Sequence, residues 1–257
     1  MNGEETSGST NFGFRRVPES EKAPLVRALF HSVAARYDLM NDLMSVGIHR
    51  WWKAEMVAWL KPRAGQRLLD VAGGTGDIAL RALPRLVPHE DAEGAGVLVC
   101  DVSEAMLAIG RARALDQGIL GGIEWLCADA ERLPVPNRSI DLYTIGFGLR
   151  NVTRLDFALA EAKRVLKPGG HFLCLEFTPE ITPFLQPLYD LYSFQIVPLL
   201  GQIVTGDRDA YAYLVESIRR FPRQSHLAEM IAQAGLDQVK FRNLTGGVAA
   251  LHSAWRL

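Results

Sequence analysis

The sequence predicts an α/β fold in which helices cover both faces of a mostly parallel sheet, with an antiparallel hairpin at its C-terminal end. Three observations lead to this prediction. Short apolar runs typical of buried strands alternate with stretches of helical period from residue 66 onward. The first of these runs leads into the glycine-rich turn Gly73-Gly74-Thr75-Gly76. The last two are joined by Thr245-Gly246-Gly247, a turn typical of a hairpin.

Each predicted element follows from a local change of period. Apolar residues at helical spacing predict two or three helices within residues 21–62, before any strand signal. Seven strand-like runs follow, one opening the run Gln66 to Asp77 and six at residues 96–101, 123–127, 140–145, 171–176, 239–243 and 248–255. The other predicted helices lie at residues 104–115, 156–166, 184–204, 209–220 and 224–234. The sheet therefore has seven strands.

Composition predicts one domain preceded by a short arm. Residues 1–20 are rich in Gly, Ser, Thr, Glu and Asn, so we predict a disordered N-terminal arm there. Residues 21–257 are predicted to form a single domain, with N-terminal helices at 21–62 and a helical insertion at 179–222.

Charge and cysteine content narrow the class of function. The net charge of −1 disfavours a nucleic-acid substrate, which normally requires a basic face. Cys100, Cys127 and Cys174 lie far apart in apolar runs, which indicates reduced thiols in a cytoplasmic protein. No run reaches the roughly eighteen apolar residues of a spanning helix, so membrane contact would be peripheral. The histidines and cysteines show no metal-ligand spacing, so we expect no metal.

The glycine-rich turn predicts a small-molecule site. Without Cβ atoms its backbone can bend sharply and approach a ligand, and the helix that follows offers free N–H groups. By itself this turn does not identify the ligand. Gly74-x-Gly76-x-x-Ala79 also fits the dinucleotide-binding fingerprint, and Asp101 lies near the position where that fingerprint has an acidic residue. A nicotinamide oxidoreductase is therefore one alternative.

Carboxylates near the turn favour a cationic ligand over a pyrophosphate. Asp70 precedes the turn and Asp77 follows it, and their negative charge opposes phosphate binding. Asp101, at the end of the second strand, can accept hydrogen bonds from both ribose hydroxyls. Asp129 and the N–H of Ala130 follow the third strand and can bind an adenine edge. Taken singly, Asp101 and Asp129 could equally be helix caps or solvated loop residues.

Almost the whole chain, from Phe12-Gly-Phe14 to the last residues, resembles the ubiquinone/menaquinone biosynthesis C-methyltransferases, which are class I S-adenosylmethionine-dependent methyltransferases. The segments that carry the resemblance are Phe30-His-Ser-Val-Ala-Ala-Arg-Tyr-Asp38, Met40-Asn-Asp-Leu-Met44, Gly47-Ile-His-Arg50, Asp70-Val-Ala-Gly-Gly-Thr-Gly-Asp77, Phe147-Gly-Leu-Arg-Asn-Val152, Val165-Leu-Lys-Pro-Gly-Gly170 and Gly247-Val-Ala-Ala-Leu-His252. The Asp70 to Asp77 and Val165 to Gly170 segments mark methyltransferases in general, whereas the others resemble this family in particular. The resemblance implies a Rossmann-like class I methyltransferase fold, with the 179–222 insertion as a lid over substrate.

The resemblance also implies the reaction and part of the cofactor site. The reaction would be S-adenosylmethionine-dependent methylation of a ring carbon of a polyprenylated hydroquinone, with S-adenosylhomocysteine as product. The hydroquinone would be 2-polyprenyl-6-methoxy-1,4-benzoquinol, demethylmenaquinol or both. The predicted cofactor-binding residues are Asp70, Gly74, Thr75, Gly76, Asp101, Asp129 and Ala130, of which Thr75, Asp101, Asp129 and Ala130 match family contact positions. Some members have a serine contact where this chain has Gly146, so that contact is not carried over.

The acceptor side of the predicted site follows the fourth strand. A phenolic ring becomes a carbon nucleophile when its hydroxyl ionises, and we predict that Arg150 stabilises the developing phenolate. The alternative for Arg150 is a salt bridge at the sheet edge. Tyr37, Asn151, Tyr189 and Tyr192 are predicted to contact the acceptor.

The predicted partners follow from that acceptor. They are the polyprenylated quinol, the inner face of the cytoplasmic membrane as a peripheral contact, other quinone-biosynthesis proteins, and a second copy of the chain as a homodimer. Residues 184–204 are apolar enough to line a tunnel for the prenyl tail, or they form an ordinary core helix. Two further alternatives are a methyltransferase for a small soluble acceptor and a non-catalytic scaffold in a quinone-biosynthesis complex.

Overall fold

A computed structural model describes residues 8–34, 39, 41–42, 45–87, 96–184, 191–192, 199 and 208–257 of the chain. The strands in these residues are β1 (Ser9–Phe12), β2 (Arg15–Pro18), β3 (Leu68–Val71), β4 (Val97–Asp101), β5 (Ile123–Cys127), β6 (Ile140–Gly146), β7 (Leu166–Phe177), β8 (Asp237–Leu244) and β9 (Ala249–Trp255). The α-helices whose bounds lie in these residues are α1 (Glu19–Val33), α2 (His49–Leu60), α3 (Asp77–Leu86), α4 (Glu104–Asp116), α5 (Leu155–Val165), α6 (Arg208–Arg220) and α7 (Gln224–Gln233).

Strands β3 to β9 form one seven-stranded sheet in the spatial order β5-β4-β3-β6-β7-β9-β8. The pairs among β3 to β7 are parallel, whereas β9 pairs antiparallel with both β7 and β8. The predicted mostly parallel sheet with its C-terminal antiparallel hairpin is therefore confirmed. The chain runs outward in both directions from β3, and the crevice between β3 and β6 is the topological switch point where open α/β sheets bind ligands.

Two hydrophobic cores lie on opposite faces of this sheet. One face packs against α2, α3 and α6, and includes Trp52, Met56 and Tyr211, each at most 1% exposed. The other face packs against α5 and α7, and includes Leu159 and Ile231. Burial on both faces explains why the central strands read as continuous apolar runs rather than alternating ones.

The N-terminal arm differs from the prediction. Residues 9–18, predicted as disordered, form the β1 to β2 hairpin, and α1 begins at Glu19. Phe12 of this hairpin is 7% exposed and packs against Val26 and Tyr213. Its ring stacks on that of Tyr213, with centroids 4.2 Å apart. The local composition is misleading because the hairpin is stabilised by tertiary packing on α1 and on Tyr213, which lies far away in the chain.

The later helices match their predicted positions where the structure describes them. Helices α6 and α7 coincide with the predicted helices at 209–220 and 224–234. Most of the helix predicted at 184–204 lies outside the described residues. In the described part of the chain, no helix combines the length and apolar character that crossing a membrane requires.

Candidate active site

A cleft opens at the carboxyl edge of the parallel strands, where open α/β sheets bind small molecules. Helix α1 forms one side of it, and the segments that follow β3, β4, β5 and β6 form the rest. The lining residues are Ala23, Val26, Phe30, Val71, Ala72, Gly74, Asp101, Val102, Met106, Ala128, Asp129, Ala130, Glu131, Phe147, Gly148, Asn151, Val152 and Thr153. The predicted site residues Gly74, Asp101, Asp129, Ala130 and Asn151 therefore meet at one cleft.

The turn between β3 and α3 is shaped by left-handed backbone conformations. Gly74 and Gly76 have φ values of +54° and +76°. Gly76 also lies against the Trp125 ring, where a Cβ would approach Cη2 to 2.7 Å, so glycine is required there on two grounds. Ala72 has a φ of 50° although it carries a Cβ. The strained turn brings the backbone of Gly74 to the surface of the cleft.

Asp101 connects the end of β4 to this turn. Its Oδ2 accepts a hydrogen bond from the Gly74 N–H at 2.9 Å, and its Oδ1 accepts one from the Ser103 N–H at 2.8 Å. Burial raises the pKa of this carboxyl to about 6, although backbone N–H donors oppose the shift. Each carboxylate oxygen keeps a further lone pair for the two hydroxyls of a ribose.

Asp129 lies on the adjacent wall, just after β5. Its Oδ1 accepts the Glu131 N–H at 2.9 Å, which folds residues 129–132 into a tight turn. This bond leaves the second carboxylate oxygen, and the turn places Ala130 beside it in the cleft lining. The pair can therefore bind an adenine edge, as the sequence predicts.

The charges in the cleft fit S-adenosylmethionine better than a pyrophosphate. The described residues that line it include three carboxylates, Asp101, Asp129 and Glu131, and no Lys or Arg. Glu131 is paired with Arg154 at 2.9 Å, so Asp101 and Asp129 supply the unneutralised charge. An adenosyl ligand with sulfonium and ammonium charges is attracted to such a lining, whereas a pyrophosphate is repelled.

Asp70 lies beneath the turn, which differs from its predicted contact with the cofactor. It is 0% exposed, and its Oδ1 accepts a hydrogen bond from the Thr144 hydroxyl at 2.6 Å. Burial raises the pKa of Asp70 to about 7. A Cβ on Gly73 would lie 2.9 Å from the Asp70 Oδ2, so this carboxyl supports the turn from behind. Asp70 is not among the residues that line the cleft.

Thr75 and Gly76 also lie outside the cleft lining. Thr75 is 3% exposed, and its hydroxyl accepts a hydrogen bond from Arg113 at 3.2 Å on the far side of the turn. The sequence predicts that the charge of Asp77 opposes phosphate binding. In the structure Asp77 is bonded to Lys53 and Arg81 at 2.8 and 2.7 Å. Burial raises its pKa, but these two cations outweigh burial and hold it at about 2. Asp77 is therefore a neutralised structural charge, and the argument against phosphate rests on Asp101 and Asp129.

Gly146 packs against α3 at the end of β6. A Cβ there would lie 2.4 Å from the Ile78 Cδ1, so a serine at this position requires Ile78 to move. The glycine thus matches the local packing of this chain.

Arg150 lies behind the wall that follows β6, in an ion pair. Its Nη1 donates to the Glu176 Oε1 at 2.7 Å and to the carbonyl of Phe147, and its side chain is 4% exposed. Glu176 also accepts the backbone N–H groups of Arg150 and Phe177. Arg150 therefore forms a salt bridge at the sheet edge, which is the alternative role that the sequence left open. It is not among the residues that line the cleft.

Of the other predicted acceptor contacts, Asn151 lines the cleft. Tyr192 is half-buried and packs against the core that contains Trp52. Tyr37 and Tyr189 lie outside the described residues. The sequence did not single out Ala23, Val26 and Phe30 as site residues, because an amphipathic helix pattern does not show which cavity its apolar face covers.

Within the described ranges, no three His, Cys, Asp or Glu side chains lie close enough to hold a metal ion.

Comparison with known proteins shows similarity over almost the whole chain. A family model described as the ubiE/COQ5 methyltransferase family matches residues 16–256. A protein of Dinoroseobacter shibae named ubiquinone/menaquinone biosynthesis C-methyltransferase UbiE is 56% identical over 254 residues, covering 99% of each chain. A protein of the same name from Paracoccus denitrificans is 56% identical over 248 residues, covering 96% of this chain and 97% of the other.

Solved structures agree on the fold. A SAM-dependent methyltransferase of Thermotoga maritima aligns with a TM-score of 0.63 at 18% identity, covering 90% of this chain and 99% of the other. A second, from Aquifex aeolicus, aligns with a TM-score of 0.57 at 16% identity, covering 80% and 89%. The predicted Rossmann-like methyltransferase fold is confirmed.

Proposed function

This chain belongs to the ubiE/COQ5 methyltransferase family, and from that premise we propose that it methylates a ring carbon of a polyprenylated hydroquinone with S-adenosylmethionine. The observation that carries the proposal is identity above half over the full chain to proteins named quinone-biosynthesis C-methyltransferases. The acidic cleft at the switch point supports the cofactor, because its lining suits an adenosyl sulfonium.

Different residues of the cleft would contact different parts of the cofactor. S-adenosylmethionine, when bound, supplies a methyl group already activated on sulfur. Asp101 would accept hydrogen bonds from the ribose, and Asp129 with the Ala130 N–H would hold the adenine. Gly74 lets the backbone approach closely. Asp70 and Thr75 would act indirectly, by fixing the conformation of the turn.

The acceptor would occupy the part of the cleft next to Asn151. A phenolic ring gains negative charge on its ortho carbon as the hydroxyl ionises, so a donor near the ring oxygen favours the reactive form. The Asn151 amide lies in the lining and can donate to that oxygen. Arg150 is buried and paired with Glu176, so we assign it a positioning role through the backbone of residues 147–151.

A polyprenyl tail is soluble in a membrane rather than in water, so the acceptor must be taken from a lipid surface. We therefore place the enzyme in the cytoplasm, with peripheral contact at the inner face of the membrane. Sedimentation with acceptor-loaded vesicles tests this placement. Recovery of all of the protein in the supernatant would contradict it.

The direct test is methyl transfer by the purified protein. It would be incubated with methyl-labelled S-adenosylmethionine and two chemically reduced, short-tailed acceptors, a demethylated benzoquinol and a demethylated naphthoquinol. We expect label on a ring carbon of at least one acceptor, and none with the oxidised quinones, which cannot form a phenolate. The absence of label with both quinols, despite demonstrated cofactor binding, would favour a soluble acceptor or a scaffold role.

A further inference from the structure

The wall of the cleft formed by residues 151–153 is held from behind by three side chains. Lys22 Nζ of α1 donates to the Val152 carbonyl at 2.8 Å. Thr10 Oγ1 of β1 donates to the Thr153 carbonyl at 3.3 Å. The Tyr213 hydroxyl of α6 donates to the Asn151 Oδ1 at 3.1 Å. The first two bonds end on backbone atoms, whereas the third ends on the amide of a cleft-lining side chain.

The Tyr213 bond determines which end of the Asn151 amide faces the cleft. An asparagine side chain has one acceptor oxygen and one NH2 donor, and a hydroxyl donor fixes the oxygen on its own side. Asn151 lines the cleft, and its Nδ2 has no hydrogen-bond partner among the described residues. The two N–H donors of the amide are therefore available to a bound molecule.

Tyr213 itself is rigidly held. It is 4% exposed, and its ring stacks on Phe12 at an interplanar angle of 27°. Burial raises the pKa of its hydroxyl well above the ordinary value, so the hydroxyl stays protonated and remains a donor. The hydroxyl is therefore able to donate over the whole working range of pH.

We propose that Tyr213 is a positioning residue for methyl transfer, orienting the Asn151 amide so that its N–H groups donate to a ring oxygen of the acceptor. This inference rests on the proposed function. A donor fixed toward the oxygen stabilises negative charge as the phenol ionises. With the amide reversed, the Asn151 Oδ1 lone pairs would face that oxygen and oppose ionisation.

The test is a double-mutant cycle on methyl transfer, with Tyr213→Phe, Asn151→Ala and the double variant. Tyr213→Phe keeps the ring and its stacking on Phe12 while removing the donor. We expect kcat to fall roughly tenfold, about the effect of one hydrogen bond, with KM changed less than about threefold. In the Asn151→Ala background the same substitution should have less than about a twofold effect, because there is no amide left to orient.

A matched control is Tyr143→Phe. Tyr143 is 1% exposed and stacks on Phe172 at 5.4 Å, on the sheet face that α5 and α7 cover. We expect this variant to keep the wild-type kcat. Melting temperature and S-adenosylhomocysteine affinity, measured on every variant, separate a folding defect from an orientation defect.

The pH dependence of kcat gives a readout that packing alone would not move. Losing a donor to the phenolate raises the pKa of the bound acceptor, so the Tyr213→Phe profile should shift to higher pH and recover part of its rate there. Equal effects of Tyr213→Phe in both backgrounds, or an unchanged kcat, would overturn the inference. No transfer by the wild-type protein would instead overturn the proposed function.

A second measurement does not depend on the acceptor. The side-chain ¹⁵N-amide signal of Asn151, assigned by its loss in Asn151→Ala, should shift in Tyr213→Phe and not in Tyr143→Phe. An unshifted signal would show that the hydroxyl does not orient the amide.

Discussion

The ionisation of individual carboxyl groups determines the charge around the turn between β3 and α3, where the cofactor is proposed to bind. Asp70, Asp77 and Asp101 lie around one turn, yet their pKa values are about 7, 2 and 6. Burial raises all three, and only Asp77 has two cations close enough to reverse that effect. At neutral pH the charge that faces the cleft from this turn is therefore that of Asp101.

Replacing Asp101 with Asn tests its role in cofactor binding. The substitution keeps the shape but removes the charge and one acceptor, so we expect S-adenosylhomocysteine to bind about 10- to 100-fold more weakly, the usual effect of losing charge-assisted hydrogen bonds. Isothermal titration calorimetry at pH 7.5 measures this change. Glu124→Gln, on the exposed side of β5, is the matched control and should bind normally. An unchanged affinity in Asp101→Asn would place the ribose elsewhere.

The same carboxyl predicts a pH dependence of cofactor affinity. Ribose hydroxyls donate to the carboxylate form, so binding weakens as pH falls through the Asp101 pKa of about 6. We expect the dissociation constant of S-adenosylhomocysteine to be about tenfold higher at pH 5 than at pH 8. The Asp101→Asn variant should show a flat profile over that range. A flat profile in the wild-type protein would contradict the assignment.

At the scale of elements, the turn between β3 and α3 depends on Asp70 beneath it. Its folded-state pKa of about 7 lies above the ordinary value of 3.8, so the folded protein holds this proton more tightly than the unfolded chain. The stability from this group is fully present below about pH 4 and is lost as pH rises through 7.

Urea unfolding of wild type and Asp70→Asn tests this linkage. The asparagine cannot ionise, so the wild type should lose about 2 kcal/mol of unfolding free energy relative to the variant between pH 5 and pH 8. Parallel pH profiles for the two proteins would show that Asp70 does not titrate in the folded state.

The N-terminal hairpin makes a prediction at the same scale. Phe12 is 7% exposed, so Phe12→Ala should lower the unfolding free energy by roughly 2 to 4 kcal/mol. Phe14 of the same hairpin is 49% exposed, and Phe14→Ala should cost less than about 1 kcal/mol. Chemical denaturation measures both. Equal losses in the two variants would mean that the hairpin does not pack on Tyr213.

Some strands of this fold are predictable from local sequence patterns and others are not. Strands β3 to β7 were predictable because their apolar runs are set by local burial on both faces. The β1 to β2 hairpin was not, because its stability comes from tertiary packing on α1 and on α6, the latter at the other end of the chain. In the same way, Asp101 and Asp129 were found from their places at strand ends, whereas the pairing of Arg150 with Glu176 spans 26 positions and left no local signal.

At the scale of the whole molecule, ligand binding should be visible as stability. Free S-adenosylhomocysteine at about 100 times its dissociation constant adds about 2.7 kcal/mol to the unfolding free energy. For a chain of this length that corresponds to a rise of roughly 5 to 10 °C in melting temperature. NADH at the same concentration should leave the melting temperature unchanged. Stabilisation by NADH instead would revive the oxidoreductase alternative.

The segment of the cleft lining that follows β3 meets the segment that follows β6 where Gly148 lies against Ala72. A Cβ on Gly148 would approach the Ala72 Cβ to 2.2 Å, and neither atom belongs to a flexible side chain that could turn aside. Ala72 has a φ of 50°, which glycine adopts more readily than alanine. Substitutions at these two positions are therefore tolerated in one order. Ala72→Gly removes the clash and can come first, and Gly148→Ala can follow it. In the opposite order the intermediate carries both Cβ atoms, and one loop must shift to separate them, so the history of these two positions depends on the order of substitution.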